Sequence, residues 1–238
     1  GVMGFADMLF QLQIPYDSEA GLEVARKVMG FIQYESRKAS QELAQERGSF
    51  PAFQAEDCKV VTPIRNAVRT TIAPTGTISL IAGCSCGIEP VFANVFIRNA
   101  FRGERHLLDI NPHFERAARS EYIFSLDLLN RLVCDNQLMD QNDVPERIRS
   151  VFVTAHQVKP DWHVKMQEAF QNFTDSAVSK TVNLPSTASR DDLYNIFIQA
   201  YESDLKGITV YRDQSRTSQP FCTGAVGKTL IEEYFRSH

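Results

Sequence analysis

Thr70-Thr71-Ile72-Ala73-Pro74-Thr75-Gly76-Thr77-Ile78-Ser79 reads as a short strand, TTIA, that stops at Pro74 and opens into a turn of small and hydroxyl residues. Proline cannot donate to a strand ladder, and glycine at position 76 lets the backbone approach a ligand closely. Thr75, Thr77 and Ser79 set hydroxyls beside newly exposed backbone N–H groups, which is the chemistry of an anion cradle, above all one for phosphate. The same residues also suit an ordinary strand-to-helix turn capped by Thr or Ser.

The neighbouring sequence separates the two readings. Extended to Pro90, the unit is APTGTISLIAGCSCGIEP, which resembles the substrate-phosphate loop of ribonucleotide reductases, in particular the adenosylcobalamin-dependent (class II) branch. Four further segments are similar to that family and keep its order: GVMGFADML (1–9), LAQERGSFP (43–51), HVKMQEAFQNFTDSAVSKTVNLP (163–185) and KGITVYRDQSR (206–216). The resemblance weakens after Gly224. It implies a fold that is part of a ten-stranded α/β barrel, its C-terminal portion without the N-terminal half-barrel. Residues 1–224 are expected to form that portion, with 225–238 a tail of unclear structure.

The resemblance also implies a function. The complete enzyme would convert ribonucleotides to deoxyribonucleotides by a thiyl-radical mechanism, with adenosylcobalamin as cofactor. Its partners would be a ribonucleoside di- or triphosphate substrate, the N-terminal part of the reductase and a thioredoxin- or glutaredoxin-type reductant. Family members carry the radical-forming cysteine in an Asn-x-Cys-x-Glu loop, and no such pattern occurs here. Cys58, Cys84, Cys86, Cys134 and Cys222 all sit in other contexts. The expectation is therefore a piece of the catalytic barrel with no catalytic residue of its own, inactive in isolation. A truncated or split-gene remnant that binds nucleotide or a complementary fragment is the alternative.

Within this frame Ala73, Pro74, Thr75, Gly76, Thr77, Ile78 and Ser79 are the expected phosphate site. Glu89 in GIEP reads either as a functional carboxylate or as a capping one. Arg69 could balance phosphate charge with its planar fork or act as a structural ion-pair partner. Lys180 and Asn183, polar residues on the short strand Lys180 to Leu184, are further candidates near the barrel mouth. Cys84 and Cys86 are spaced too tightly for good disulfide geometry and read as structural thiols. His156 and His163, with no Cys or His at ligand spacing beside them, do not suggest a metal site. His163 reads as a packing or helix-capping residue.

Two tyrosines side by side relay the radical in iron-dependent relatives. This chain has Val210-Tyr211-Arg212 instead, a departure that favours the cobalamin branch. Gln214 stands where the family usually has glycine, in a turn that prefers positive φ. Gly224-Ala225-Val226-Gly227-Lys228-Thr229 resembles the end of a Walker A loop, but Cys222 falls where that motif needs its first glycine.

Composition is compatible with this frame. A chain of 238 residues with 43% apolar residues can build a sizeable core. Its net charge of −4 argues against direct nucleic-acid binding. No apolar run approaches the length of a membrane span, and an odd number of irregularly spaced cysteines fits a reducing compartment, so a cytoplasmic location is expected.

Local signals predict helices alternating with short strands, the pattern of an α/β layer or barrel. A long helix capped by Asp17 or Ser18 is expected to run to about Gly48, burying Leu22, Ala25, Val28, Ile32, Ala39 and Leu43. A strand is expected over Val91 to Ile97, then helices over about Ser125 to Leu138, from Pro145 with Asp143 at its start, and from Pro160. The helix from Pro160 should line one face with Trp162, Met166, Phe170 and Phe173. Ser189 and Asp192 form a capping-box pattern for a helix burying Leu193, Ile196, Phe197, Ala200 and Tyr201. The strand Ile208 to Tyr211 follows.

Overall fold

A computed structural model describes residues 1–53, 62–100, 105–135, 138–213, 215, 221–222 and 227–237. Cys58, Gln214 and the residues 224–226 of the Walker-like tail lie outside the described residues. Helix α1 (Phe5–Leu12) starts behind Gly4, whose φ of 79° is accessible to glycine at little cost. Helix α2 (Glu19–Arg47) begins where the Ser18 side chain accepts from Gly21 N and ends at Gly48, with φ 74°. Its core stripe shifts by one position in the second half. Ser40 and Ala44 are buried, while Ala39 and Leu43 are exposed. The cause is the segment that follows: Arg65 N donates to Ser40 O and Asn66 N to Ser40 Oγ, so the helix packs there through its serine.

The barrel portion is a parallel arc. Ile72 bridges Val178, and β3 (Thr181–Leu184) pairs in parallel with β4 (Thr209–Arg212), with Asn183 opposite Tyr211. The expected TTIA strand contributes only this single bridge. Along the middle strand Val178, Lys180, Val182 and Leu184 are buried, and the intervening residues are more open. This period of two is that of a strand with one face against helices. That face is covered by α7 (Pro160–Gln171) and α8 (Arg190–Glu202), through Val164 and Ile196. On α7, Met166 and Phe170 are buried, with Trp162 and the following Phe173 packed beside them. Ser189 and Asp192 close the expected capping box on α8. Phe197 and Tyr201 are exposed rather than buried, because Leu193, Ile196 and Ala200 take the inward face.

A second layer holds a three-stranded antiparallel sheet in the order β2 (Arg105–Ile110), β1 (Val95–Ala100), β5 (Phe221–Cys222). The strand expected from Val91 starts later. Asn94 is occupied by Nδ2 donating to Phe152 O and by its carbonyl accepting from Asn111 N. Helix α4 (Pro112–Ser120) is capped by Asn111, and α5 (Leu126–Asp135) follows, with Leu138 in a separate 3-10 turn. Pro145 caps α6 (Glu146–Val151) rather than opening it, and Asp143 pairs instead with Arg131. Helix α9 (Gly227–Ser237) gives the tail a structure, with Ile231 buried in the same cluster as Phe114, Leu129 and Phe152. Among the described residues no helix is long and apolar enough to cross a membrane.

Candidate functional site

The loop expected to hold phosphate leaves the parallel arc at Pro74 and turns directly into α3 (Gly76–Ala82). Thr75 occupies the left-handed region, at φ 57° and ψ 24°, an uncommon conformation for a β-branched residue. Its Oγ1 accepts from Gly87 N at 2.7 Å, which ties the turn to the segment below. No side chain caps α3, so the N–H groups of Gly76, Thr77 and Ile78 keep open donors at an exposed helix start. A Cβ built on Gly76 meets nothing within 4 Å, so the fold of this chain does not itself demand glycine there.

Ser79 departs from the expectation. It is fully buried, its N–H returns to Thr75 O at 2.9 Å, and its hydroxyl donates to Gly76 O at 3.2 Å. Both of its donors are used inside the turn, so Ser79 braces the loop instead of facing a ligand.

Below the loop, Gly87 has φ +47°, and a Cβ there would lie 3.1 Å from Ala73 O. Ser85 N donates to Asp7 Oδ2 at 2.6 Å and Gly4 N to Ser85 O at 2.8 Å, joining this segment to the start of α1. Cys84 and Cys86 are free thiols. Burial pushes the Cys84 thiol up, and Cys86 Sγ lies 3.0 Å from Ser79 Oγ. Cys86 thus touches the loop, while the Cys84 side chain lies beside Gly4.

Glu89 has the partner that the sequence left unseen. Lys180 is buried on the helix side of its strand, and it reaches Glu89 Oε2 at 2.6 Å. Its ammonium also donates to His163 Nδ1 at 2.8 Å and to Thr181 O at 2.8 Å, using all three hydrogens. His163 Nε2 faces Ala155 O at 3.0 Å, so Nε2 carries the ring proton and Nδ1 accepts. Burial, then the neighbouring Lys180, lowers the His163 pKa to about 2. Burial lowers Lys180 too, against the pull of Glu89. Tyr16 closes the group by donating to Ile88 O at 2.8 Å.

Arg69 lies at the other end of the TTIA segment from the loop. Its Nε and Nη2 meet the two carboxylate oxygens of Asp175 at 3.0 and 2.9 Å, and its N–H also donates to that carboxylate. This is the ion-pair reading of Arg69 rather than the phosphate reading. Asn183 is half-buried on the face of β3 turned away from the helices. Tyr16 and His163 were not singled out as site residues. Only the position of Lys180, in register with Val178 and Val182, signals that it needs a buried partner.

Residues 1–211 match the family profile described as the ribonucleotide reductase barrel domain. The chain is 48% identical over 234 residues to the vitamin B12-dependent ribonucleoside-diphosphate reductase of Thermoplasma acidophilum, covering 98% of this chain and 30% of that protein. The protein of the same description from Mycobacterium tuberculosis is 46% identical over 232 residues, covering 98% of this chain and 33% of the relative. The chain thus spans about a third of the length of these curated relatives. Among solved structures, the Actinobacillus ureae class Id ribonucleotide reductase alpha subunit superposes with a TM-score of 0.77 at 21% identity, over 90% of this chain and 38% of that one. That likeness concerns the fold.

Proposed function

The chain belongs to the ribonucleotide reductase barrel-domain family, and on that premise we propose that it forms the substrate-phosphate-binding part of a vitamin B12-dependent ribonucleotide reductase. The observation that carries this reading is the uncapped start of α3, where the N–H groups of Gly76, Thr77 and Ile78 point out of an exposed turn. A diphosphate or triphosphate leaving water needs donors, and hydrogen bonds to a charged group contribute about 1.5–3 kcal/mol each. Three backbone donors with the hydroxyls of Thr75 and Thr77 hold the anion without a lysine. Ala73 and Pro74 set the approach, and Ser79 keeps the turn closed. Binding energy gathered at the phosphates then orients the ribose for reduction elsewhere in the complete enzyme.

The cofactor of the complete enzyme is proposed to be adenosylcobalamin, which supplies the radical chemistry when bound. The buried imidazole of this chain does not fit a role as ligand to it, since both nitrogens of His163 are engaged. The remaining partners follow from the same reading: the rest of the reductase polypeptide and a thioredoxin- or glutaredoxin-type reductant.

The test is Gly76→Val in the complete enzyme. A Cβ at this exposed position meets nothing within 4 Å, so thermal stability should hold while the Kd for the substrate nucleotide rises at least tenfold. Unchanged nucleotide affinity would remove Gly76 and its neighbours from the phosphate site.

A further inference from the structure

The two hydrogen bonds flanking the Ile72–Val178 bridge define how the parallel ladder should continue. Ile72 N donates to Ala177 O at 3.5 Å, and Ser179 N donates to Ile72 O at 2.9 Å. One repeat further, residue 74 would donate to Ser179 O, and Thr181 N would donate to the carbonyl of residue 74. Residue 74 is proline and has no N–H, so the first of these bonds cannot form. The second has been taken over by a side chain: Thr181 N donates to Glu89 Oε1 at 2.6 Å.

We infer that Glu89 is a positioning residue that frees the phosphate loop from the sheet, its carboxylate occupying the place of the residue 74 carbonyl at the edge of β3. A strand edge that loses its neighbour leaves a donor unpaired, and burying such a donor is costly. Glu89 satisfies it, so Ala73 to Ile78 turn away from β3 without leaving that donor open. The other oxygen accepts from Lys180, which fixes the carboxylate's orientation from the helix side. Two residues before Glu89, Gly87 N donates to Thr75 Oγ1, so the segment that caps the sheet edge also holds the turn. This explains a lysine on the buried face of a strand: it orients the group that replaces the missing strand.

The inference rests on reading Ala73 to Ile78 as the phosphate site, and the experiment separates the two. In the complete reductase, amide exchange at Thr181 is measured with KM and kcat for the nucleotide, in Glu89→Ala and Glu89→Gln. Glu89→Ala should expose the Thr181 amide and raise KM about tenfold, the equivalent of about 1.4 kcal/mol, with kcat little changed. Glu89→Gln in a Lys180→Met background retains an acceptor oxygen for Thr181 N without setting its NH2 against the buried ammonium, and should restore both. If Glu89→Ala does not fold, the double variant Glu89→Met with Lys180→Met removes the acceptor without leaving a buried unpaired charge, and the same two readouts apply. Thr181 protection that survives loss of the carboxylate overturns the inference, whatever the loop binds. An exposed Thr181 amide with unchanged KM overturns the positioning role, and Gly76→Val then decides separately whether the loop binds phosphate.

Discussion

Lys180 Nζ lies 2.8 Å from Nδ1 of His163, a buried ammonium donating to an imidazole that must stay neutral to accept. The pairing fixes both the tautomer and the charge of His163, because its other nitrogen already donates to Ala155 O. It also makes the fold sensitive to acid. Between the folded pKa of about 2 and the ordinary value of 6.5, the unfolded chain takes up a proton that the folded chain refuses. Stability is therefore complete above about pH 6.5 and falls as pH drops through that window, by up to about 1.4 kcal/mol per pH unit. Urea midpoints between pH 5 and 7 should show this slope in the native protein and lose it in His163→Gln. A flat profile in the native protein would show that His163 is free to ionise.

The fork of Arg69 on Asp175 predicts a loss of stability without a loss of binding. Burial pushes the Asp175 carboxyl up, but the hydrogen bonds from Arg69 and Gln33 outweigh it and hold the group below the usual range. Both side chains are mostly shielded, at 13% and 17% exposure. Arg69→Ala should lower stability by about 1–3 kcal/mol, since it leaves a shielded carboxylate short of donors. Nucleotide KM should stay within twofold of the native value. A tenfold rise in KM would return Arg69 to the phosphate site.

Gly87→Ala should damage both stability and binding. The position has positive φ, which costs a residue with a Cβ about 1–2 kcal/mol. The added carbon also meets Ala73 O at 3.1 Å, pressing on the loop from below. Thermal unfolding combined with nucleotide titration should show a lowered midpoint and a raised Kd. A lowered midpoint with native affinity would uncouple Gly87 from the loop.

Ser189→Ala tests the local signal at α8. The serine accepts from Asp192 N, and Asp192 accepts in return from Ser189 N. Loss of the cap should cost about 1 kcal/mol. Denaturant unfolding should register that loss while nucleotide KM stays native, because α8 packs on the helix side of β3, away from the loop.

The caps at Ser18 and Ser189, the stop at Gly48 and the proline that opens α7 were legible because each acts within one helical turn of its own position. The loop was legible for a similar reason, since Pro74 and Gly76 restrict or free the backbone where they stand. The exposed Phe197 and Tyr201 on α8 were misread because an amphipathic pattern gives a helix's apolar width without saying which part meets a neighbour. On α2 the register of burial was set by Ser40 meeting Asn66, a contact that no periodicity announces.

Read alone, the sequence was enough to point to the family, the α/β alternation and the place of the turn after Pro74, because all three are written in short contiguous segments. The tertiary structure decided what the charged residues do. Glu89 reaches Lys180 across 91 positions, and Arg69 reaches Asp175 across 106. A charge that must leave water is satisfied by whatever partner the chain path brings within about 3 Å. Which partner that is depends on strand order and helix packing, not on neighbours in sequence. For the same reason Ser79, which reads as a ligand donor among its neighbours, proves to be a brace once the turn has closed around it.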